Sequence, residues 1–307
     1  MSIILVTGGT GFIGQALVRQ LLSDGREVRT LIRPSQKSPN LPAGLPIKAA
    51  ISSITDERNL RAAMVSVDTI YHLVGGEWLG LHGDLQEIEI EGTRTLIRAA
   101  QDANIKRIFY VSHLGADRGS AYPLMKAKAI AEQHIRRSGI PYTIIRSGLV
   151  YGPGDHFTTS ILKLLKTFPF YFPLPGIGSA VTQPVWIGDM IAALIWSLDN
   201  PDSLNRVYEI GGPEYLTILE IVTEIMQQAG LRRGFLHVRP SYMRMISVYL
   251  EYFFPRLPVS AHWLDYFAMN RTCDIDSLPR EFGLLPEYFS RKIDYLAPDK
   301  SKGKHKK

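Results

Sequence analysis

Near its start the chain reads Ile3-Ile4-Leu5-Val6-Thr7-Gly8-Gly9-Thr10-Gly11-Phe12-Ile13-Gly14, and apolar residues at helical spacing follow. This order predicts a strand, a glycine turn and a helix whose N-terminal amides and dipole can hold a pyrophosphate. Gly8 suits the tight turn, Gly11 lets the backbone approach phosphates, and Gly14 lets the helix pack closely on the strand. Because the flanking strand and helix are both present, the glycine spacing predicts a dinucleotide-binding site.

Length and composition are those of an ordinary globular protein. The chain has 307 residues, of which 45% are hydrophobic and 21% charged, enough for one large domain or two closely packed ones. No apolar run reaches the roughly 18 residues of a membrane-spanning helix, and an immediate core strand argues against a secretory signal. With Cys273 as the single cysteine, we expect no disulfide and a cytoplasmic location.

The net charge of +6 is concentrated in residues 300–307, which supply five of the positive charges. We interpret this segment as a disordered, solvated tail. The alternative is weak contact with an anionic membrane surface or a membrane complex, which would make the protein peripheral to the membrane. No aromatic platform or basic groove accompanies the tail, so nucleic acid is not an expected partner.

Strand and helix signals alternate through the first half, which predicts a Rossmann-type, doubly wound parallel sheet of the α/β class. Predicted strands cover residues 3–7, 27–32, 69–73, 107–112 and 142–146. Predicted helices cover residues 14–23, 56–65, 88–103 and 125–138. Residues 34–46, rich in Pro, Ser and Asn, are predicted as a surface loop.

The pattern changes after Tyr151-Gly152-Pro153-Gly154-Asp155. We expect a dinucleotide-binding domain over 1–155, joined by strand pieces at 185–189 and 207–211 that return to the sheet. A smaller, mostly helical substrate or lid region would comprise 156–184, including a helix at 158–167, and 214–299. Its aromatic residues indicate core packing first, and a lid, a partner surface or an interfacial membrane element as alternatives. They are Tyr242, Tyr249, Tyr252, Phe253, Phe254, Trp263, Tyr266 and Phe267.

Several motifs resemble the extended and atypical branches of the short-chain dehydrogenase/reductase superfamily. They are the glycine motif at 7–14, Asp68-Thr69-Ile70-Tyr71-His72-Leu73-Val74, Tyr110-Val111-Ser112, Tyr151-Gly152-Pro153-Gly154, Trp186-Ile187-Gly188-Asp189 and Tyr208-Glu209-Ile210-Gly211-Gly212-Pro213. Residues 112–117, 128–132 and 282–286 are most similar to the nucleotide-binding accessory subunits of respiratory complex I and their bacterial relatives. The resemblance extends over almost the whole chain and implies an NAD(P)-dependent protein.

The end of the second strand favours NADP(H), with NAD(H) as the second choice. The chain reads Val28-Arg29-Thr30-Leu31-Ile32-Arg33, with no acidic residue to hold a free ribose hydroxyl, and Arg33 can pair with a 2′-phosphate. The resemblance implies an acidic contact to the adenine after the third strand, where this chain has Ser53. The predicted cofactor-binding residues are Gly8, Thr10, Gly11, Phe12, Ile13, Gly14, Arg33, Ser53, Ile54, Leu73, Val74, Gly75 and Lys128.

The resemblance also implies a catalytic Ser, Tyr and Lys, and two registers of the chain compete for them. Ser112, Tyr122 and Lys126 have the required spacing, with the phenol as proton donor and the ammonium one helical turn later. The family's Lys is followed four residues on by Glu, which instead matches Lys128 and puts Leu124 at the phenol's position. In that register Lys128 would bind ribose, with Tyr122 reaching in from the preceding loop or with no acid at all.

Two histidines also stand near predicted strand ends. His72 and His113 are expected to be hydrogen-bonded structural residues, with His113 as an alternative acid. No spacing of Cys, His and carboxylates predicts a metal site.

Three functions follow from these patterns. The first is an NADP-dependent oxidoreductase that transfers hydride to or from a small apolar carbonyl or quinone-like molecule. The second is a non-catalytic NADPH-binding accessory subunit of a membrane-associated complex. The third is a nucleotide-sugar epimerase or dehydratase.

Overall fold

The structure is a computed structural model that describes residues 3–35, 41–42, 44–78, 83–253, 264–265 and 267–298. The basic tail, part of the predicted loop at 34–46, and the aromatic residues Phe254, Trp263 and Tyr266 therefore lie outside the described residues.

The described residues contain a central sheet of seven parallel strands and three additional strand pairs. The strands are β1 (Ile3–Thr7), β2 (Glu27–Ile32), β3 (Lys48–Ile51), β4 (Val67–His72), β5 (Arg107–His113), β6 (Tyr142–Ser147), β7 (Val150–Tyr151), β8 (Tyr171–Pro175), β9 (Val181–Thr182), β10 (Val185–Trp186), β11 (Arg206–Ile210), β12 (Leu216–Thr217) and β13 (Gly234–Val238). The order in the central sheet is β11-β6-β5-β4-β1-β2-β3. The chain reverses its direction of growth between β1 and β4, where doubly wound sheets bind ligands.

Helices cover both faces of this sheet. They are α1 (Phe12–Ser23), α2 (Glu57–Ala63), α3 (Gly92–Asp102), α4 (Pro123–Arg136), α5 (His156–Thr167), α6 (Ile187–Asp199), α7 (Ile218–Gln228), α8 (Pro240–Phe253), α9 (Ser277–Phe282) and α10 (Phe289–Lys292). Leu60, Leu96 and Ile135 of α2, α3 and α4 pack on one face. Leu17 of α1 and Leu194 of α6 pack on the other. Both layers bury apolar side chains at helical spacing, so the predicted fold class is confirmed.

A third core lies in the C-terminal half, where Phe157 and Leu165 of α5 pack with Phe172 of β8 and Ile221 of α7. This region differs from the prediction in two respects. The piece predicted at 185–189 does not return to the central sheet: β10 pairs with β7, and α6 starts at Ile187. The mostly helical region also contains a strand that was not predicted, because β13 pairs in parallel with β8.

Candidate functional site

A cavity opens at the carboxyl edge of the central sheet, beside the switch between β1 and β4. Its walls come from the β1–α1 turn, the segments after β4 and β6, the end of β5, and the helices α4 and α5. The lining residues are Gly8, Gly11, Phe12, Ile13, Gly14, Leu73, Gly75, Glu77, Trp78, Val111, His113, Lys128, Ser147, Gly148, Leu149, Val150, Asp155 and His156.

The glycine turn is packed too tightly to accept side chains. Gly8 has φ +75°, and a Cβ there would lie 2.6 Å from the backbone of Leu73. A Cβ on Gly14 would overlap the carbonyl oxygen of Gly8. Gly11 is the N-cap of α1, and no side chain caps this helix. The first amides of α1, at Phe12 and Ile13, therefore give the cavity an electropositive wall that suits an anion.

Lys128 is the cation that the fold places in this cavity. Its side chain is 6% exposed, and its Nζ lies 3.0 Å from Oε2 of the fully buried Glu89. Nζ also lies 5.2 Å from the ring centre of Tyr110. The other carboxylate oxygen of Glu89 accepts a hydrogen bond of 2.9 Å from the amide of Gly76. Glu89 thus fixes the position of the ammonium and links it to the segment that follows β4.

Glu89 belongs to a π-helical turn, Gln86–Glu91, that precedes α3. Such wide turns often occur at functional sites. The hydroxyl of Thr93 donates to the carbonyl of Glu89 at 2.6 Å and contacts Nε2 of His72 at 3.0 Å. Nδ1 of His72 contacts Thr7 Oγ1 at 2.8 Å. Burial and the nearby Lys128 lower the pKa of His72 to about 3. His72 is therefore a neutral, hydrogen-bonded structural residue, as the sequence predicted.

His113 and Glu77 form a second polar pair in the cavity wall. Nε2 of His113 lies 2.5 Å from Oε2 of Glu77, and the two side chains are 14% and 16% exposed. Burial opposes ionisation of Glu77, but the adjacent His113 outweighs it and lowers the pKa of this carboxyl to about 2. The ionised carboxylate accepts a hydrogen bond from Nε2–H and holds the imidazole at the cavity.

The predicted catalytic residues Ser112, Tyr122 and Lys126 are absent from the described lining of the cavity. Side chains alternate along β5, so Val111 and His113 reach the cavity and the buried Ser112 does not. Pro123 begins α4, which leaves Tyr122 at the N-cap. Its hydroxyl lies 3.4 Å from the carbonyl of Ala268. Lys126 is exposed. The structure thus places Lys128 in the cavity lining and Tyr122 and Lys126 outside it, and the catalytic roles of these residues stay predictions.

The predicted cofactor-binding residues divide into two groups. Eight line the cavity: Gly8, Gly11, Phe12, Ile13, Gly14, Leu73, Gly75 and Lys128. Thr10, Arg33, Ser53, Ile54 and Val74 are outside its lining. Arg33 is exposed directly after β2, and the hydroxyl of Ser53 lies 3.0 Å from that of Thr55. Ile54 packs against α3, where a Cβ on Gly92 would lie 2.8 Å from its Cγ2.

The sequence reasoning missed one whole wall of the cavity. The rings of Trp78 and His156 stack there with centres 5.2 Å apart. Asp155 caps α5 by accepting a hydrogen bond of 2.6 Å from the amide of Thr158, and burial raises the pKa of this carboxyl. Residues 147–150 comprise the last residue of β6 and the segment after it, so the rule that ligands bind at strand ends could have indicated them. Across the described ranges, no cluster of three or more His, Cys, Asp or Glu side chains could hold a metal ion.

The chain is similar in sequence to known NAD(P)H-binding proteins. A family described as NAD(P)H-binding matches residues 8–161. The mitochondrial NADH dehydrogenase [ubiquinone] 1 alpha subcomplex subunit 9 of Arabidopsis thaliana is 31% identical over 230 residues, which are 72% of this chain and 56% of that protein. The NAD(P)H azoreductase of Xenophilus azovorans is 25% identical over 231 residues, 74% of each chain.

The match covers 56% of the length of the Arabidopsis thaliana protein and 59% of its mouse and rat counterparts, which is under two thirds of each. Among solved structures, an NADPH-dependent quinone oxidoreductase from Escherichia coli in complex with NADPH has a TM-score of 0.74 at 21% identity. The superposition covers 95% of this chain and 99% of that one, and it shows a shared fold.

Proposed function

The chain belongs to the NAD(P)H-binding family, and on that premise we propose that it is an NADP(H)-dependent oxidoreductase. Its substrate would be a small apolar carbonyl or a quinone-like molecule. The observation that carries this proposal is the His113–Glu77 pair, which lines the same cavity as the glycine turn and Lys128.

The residues of the cavity fit a nicotinamide dinucleotide. The amides at the start of α1 would hold the pyrophosphate, because no side chain caps them and the glycines leave the backbone open. Lys128 would hold ribose hydroxyls through its ammonium. When bound, the cofactor supplies the hydride. Arg33, exposed at the end of β2, favours the 2′-phosphate form.

His113 would donate a hydrogen bond to the substrate oxygen on which negative charge develops. The carboxylate of Glu77 accepts a hydrogen bond from Nε2–H of His113 and so orients the imidazole beside the space that Leu149, Val150 and Trp78 enclose. Because Nε2–H is engaged by Glu77, the donor to a substrate oxygen would be Nδ1–H of the imidazolium, whose charge Glu77 balances. A donor fixed in a partly apolar site stabilises negative charge that develops on that oxygen. The apolar wall explains the choice of an apolar substrate over a sugar nucleotide.

A second candidate is a non-catalytic NADPH-binding subunit. It is favoured by the absence of a tyrosine from the lining of the cavity among the described residues. A mitochondrial complex I subunit among the relatives supports the same alternative.

The two candidate functions differ in whether the protein oxidises bound NADPH with a substrate. We expect the purified protein to bind NADPH with a change in cofactor fluorescence and to oxidise it slowly with a panel of quinones and aldehydes. His113→Gln should abolish turnover while NADPH binding is retained. Tyr122→Phe is the matched control, and it should leave both unchanged because its hydroxyl contacts Ala268 outside the cavity. Tight NADPH binding without turnover of any member of the panel would favour the second candidate.

A further inference from the structure

Helix α8 carries an apolar stripe that faces solvent. Tyr242, Met245, Ile246 and Tyr249 recur at the spacing of one helix face and are 47–69% exposed. The opposite side of α8 is the one that packs, through Ser247 and the partly buried Met243. Amphipathic surface helices normally turn their apolar face to the core, so the exposed stripe of α8 is an exception.

The strand pair β8–β13 extends this exposed apolar surface. Phe172 and Leu174 point into the core, whereas Tyr171 is 61% and Leu236 is 56% exposed. Phe170, directly before β8, is 76% exposed. Strand β13 runs into α8, and a Cβ on Gly176 would lie 3.8 Å from Pro240 at the start of that helix. The exposed face of the pair and the stripe of α8, together called the aromatic surface below, thus adjoin each other.

The charges of the two segments that form the aromatic surface have one sign. Residues 163–177 and 230–250 contain no Asp or Glu, and the next acidic residue is Glu251, beyond the exposed stripe. Their basic residues are Lys163, Lys166, Arg232, Arg233, Arg239 and Arg244. Arg244 lies 3.5 Å from the buried Asp265, whereas Lys163, Lys166, Arg232 and Arg239 are exposed. Aromatic and aliphatic side chains interleaved with basic ones match an anionic lipid surface, where rings sit at the headgroup level and cations meet lipid phosphates.

We propose that the aromatic surface docks on an anionic lipid bilayer, with α8 lying in the plane of the interface. Over the described part of the chain, no helix is long and apolar enough to cross a membrane. The two contributions are separable. Burial of the apolar stripe gives binding that persists in salt, and the basic residues add an attraction that salt weakens.

The test is flotation of the full-length protein with vesicles, either of phosphatidylcholine alone or of equimolar phosphatidylcholine and phosphatidylglycerol. We expect weak binding to the phosphatidylcholine vesicles and markedly tighter binding to the anionic vesicles. Ile246→Glu with Tyr249→Glu should abolish it. Lys166→Gln with Arg239→Gln should weaken it about 25-fold at low salt, from ~1 kcal/mol per basic residue. Leu285→Glu, at a site 88% exposed, and Arg98→Gln are matched controls that should bind like the parent. All variants should keep the parent's melting temperature.

Deletion of residues 300–307 tests the basic tail as a rival source of lipid affinity. If that deletion alone abolishes flotation, or if Ile246→Glu with Tyr249→Glu floats as the parent does, the proposal is overturned. A lipid-independent dimer that Tyr249→Glu dissociates, with no flotation of the parent, would show instead that a second copy covers the surface.

Discussion

The buried pair Lys128–Glu89 offers the sharpest test of how the cavity is built. Glu89→Gln keeps the shape of the side chain and an oxygen for the amide of Gly76, but it leaves the ammonium 3.0 Å away without its counter-charge. Lys128→Met leaves the carboxylate uncompensated in the same way. Removing one partner of a buried ion pair costs ~3–5 kcal/mol of unfolding free energy. We expect each single variant to lose about that much.

The double variant Glu89→Gln with Lys128→Met should lose less than the sum of the two singles, by about 2 kcal/mol or more, because no buried charge remains unpaired. Urea unfolding followed by circular dichroism gives these free energies, and fluorescence titration gives NADPH affinity for each variant. The matched control is Glu132→Gln, which breaks another ion pair of α4, to Arg146 at 2.7 Å, outside the cavity lining.

The control should reduce stability and leave NADPH affinity unchanged, whereas Glu89→Gln should reduce both. Two results would refute the reasoning. One is strict additivity of the two single variants, which would mean that Lys128 and Glu89 do not interact. The other is a Glu89→Gln protein that binds NADPH as tightly as the parent, which would mean that Glu89 does not position the ammonium.

Three further perturbations test other parts of the structure. The pKa of His72 is about 3 in the folded protein and ordinarily 6.5. Below pH 6.5 the unfolded chain therefore binds a proton at this residue that the folded protein does not bind. The free energy of unfolding should fall by about 2 kcal/mol from pH 7 to pH 5. In urea unfolding His72→Gln should lack this loss, and an unchanged pH dependence would contradict the assignment. Gly14→Ala should lower the melting temperature and NADPH affinity, because its Cβ overlaps the Gly8 carbonyl, while Gly119→Ala, with its nearest neighbour at 3.5 Å, should do neither. Arg33→Asp should weaken NADPH binding about tenfold or more and shift preference to NADH, with Arg98→Asp as the control; an unchanged preference would remove Arg33 from the 2′-phosphate site.

The sequence was sufficient for the architecture of the first half. Five predicted strands and the glycine turn depend on local patterns, and the structure has β1 and β2 at the predicted bounds. The family resemblance is confirmed by the match to residues 8–161 and by the mitochondrial relatives. Strand β3 was not predicted, because Lys48, Ala49 and Ile51 are exposed at the sheet edge and lack an apolar alternation.

The sequence was insufficient for features that depend on contacts with residues far away in the chain. Spacing alone left Lys126 and Lys128 as equal candidates. Lys128 is the lysine in the cavity because its face of α4 is buried and because Glu89 pairs with it. Glu89 lies on another segment, in a π-helical turn that no sequence periodicity indicates. Likewise, β13 forms because its backbone pairs with that of β8. The sequence of β13, with Gly234 and His237, is not typical of a strand.

Helix α5 connects the two proposals made for this protein. Its first residue, His156, lines the cavity, and its last turn carries Lys166 and leads into Phe168 and Phe170 of the exposed region before β8. Twelve residues at 1.5 Å each give a helix of about 18 Å. A cavity with an apolar wall would therefore lie roughly one helix length from a docked bilayer, in which apolar quinones or carbonyls concentrate. If both proposals hold, anionic vesicles should raise turnover of a lipid-soluble quinone and leave that of a water-soluble one unchanged, and Ile246→Glu with Tyr249→Glu should remove the difference.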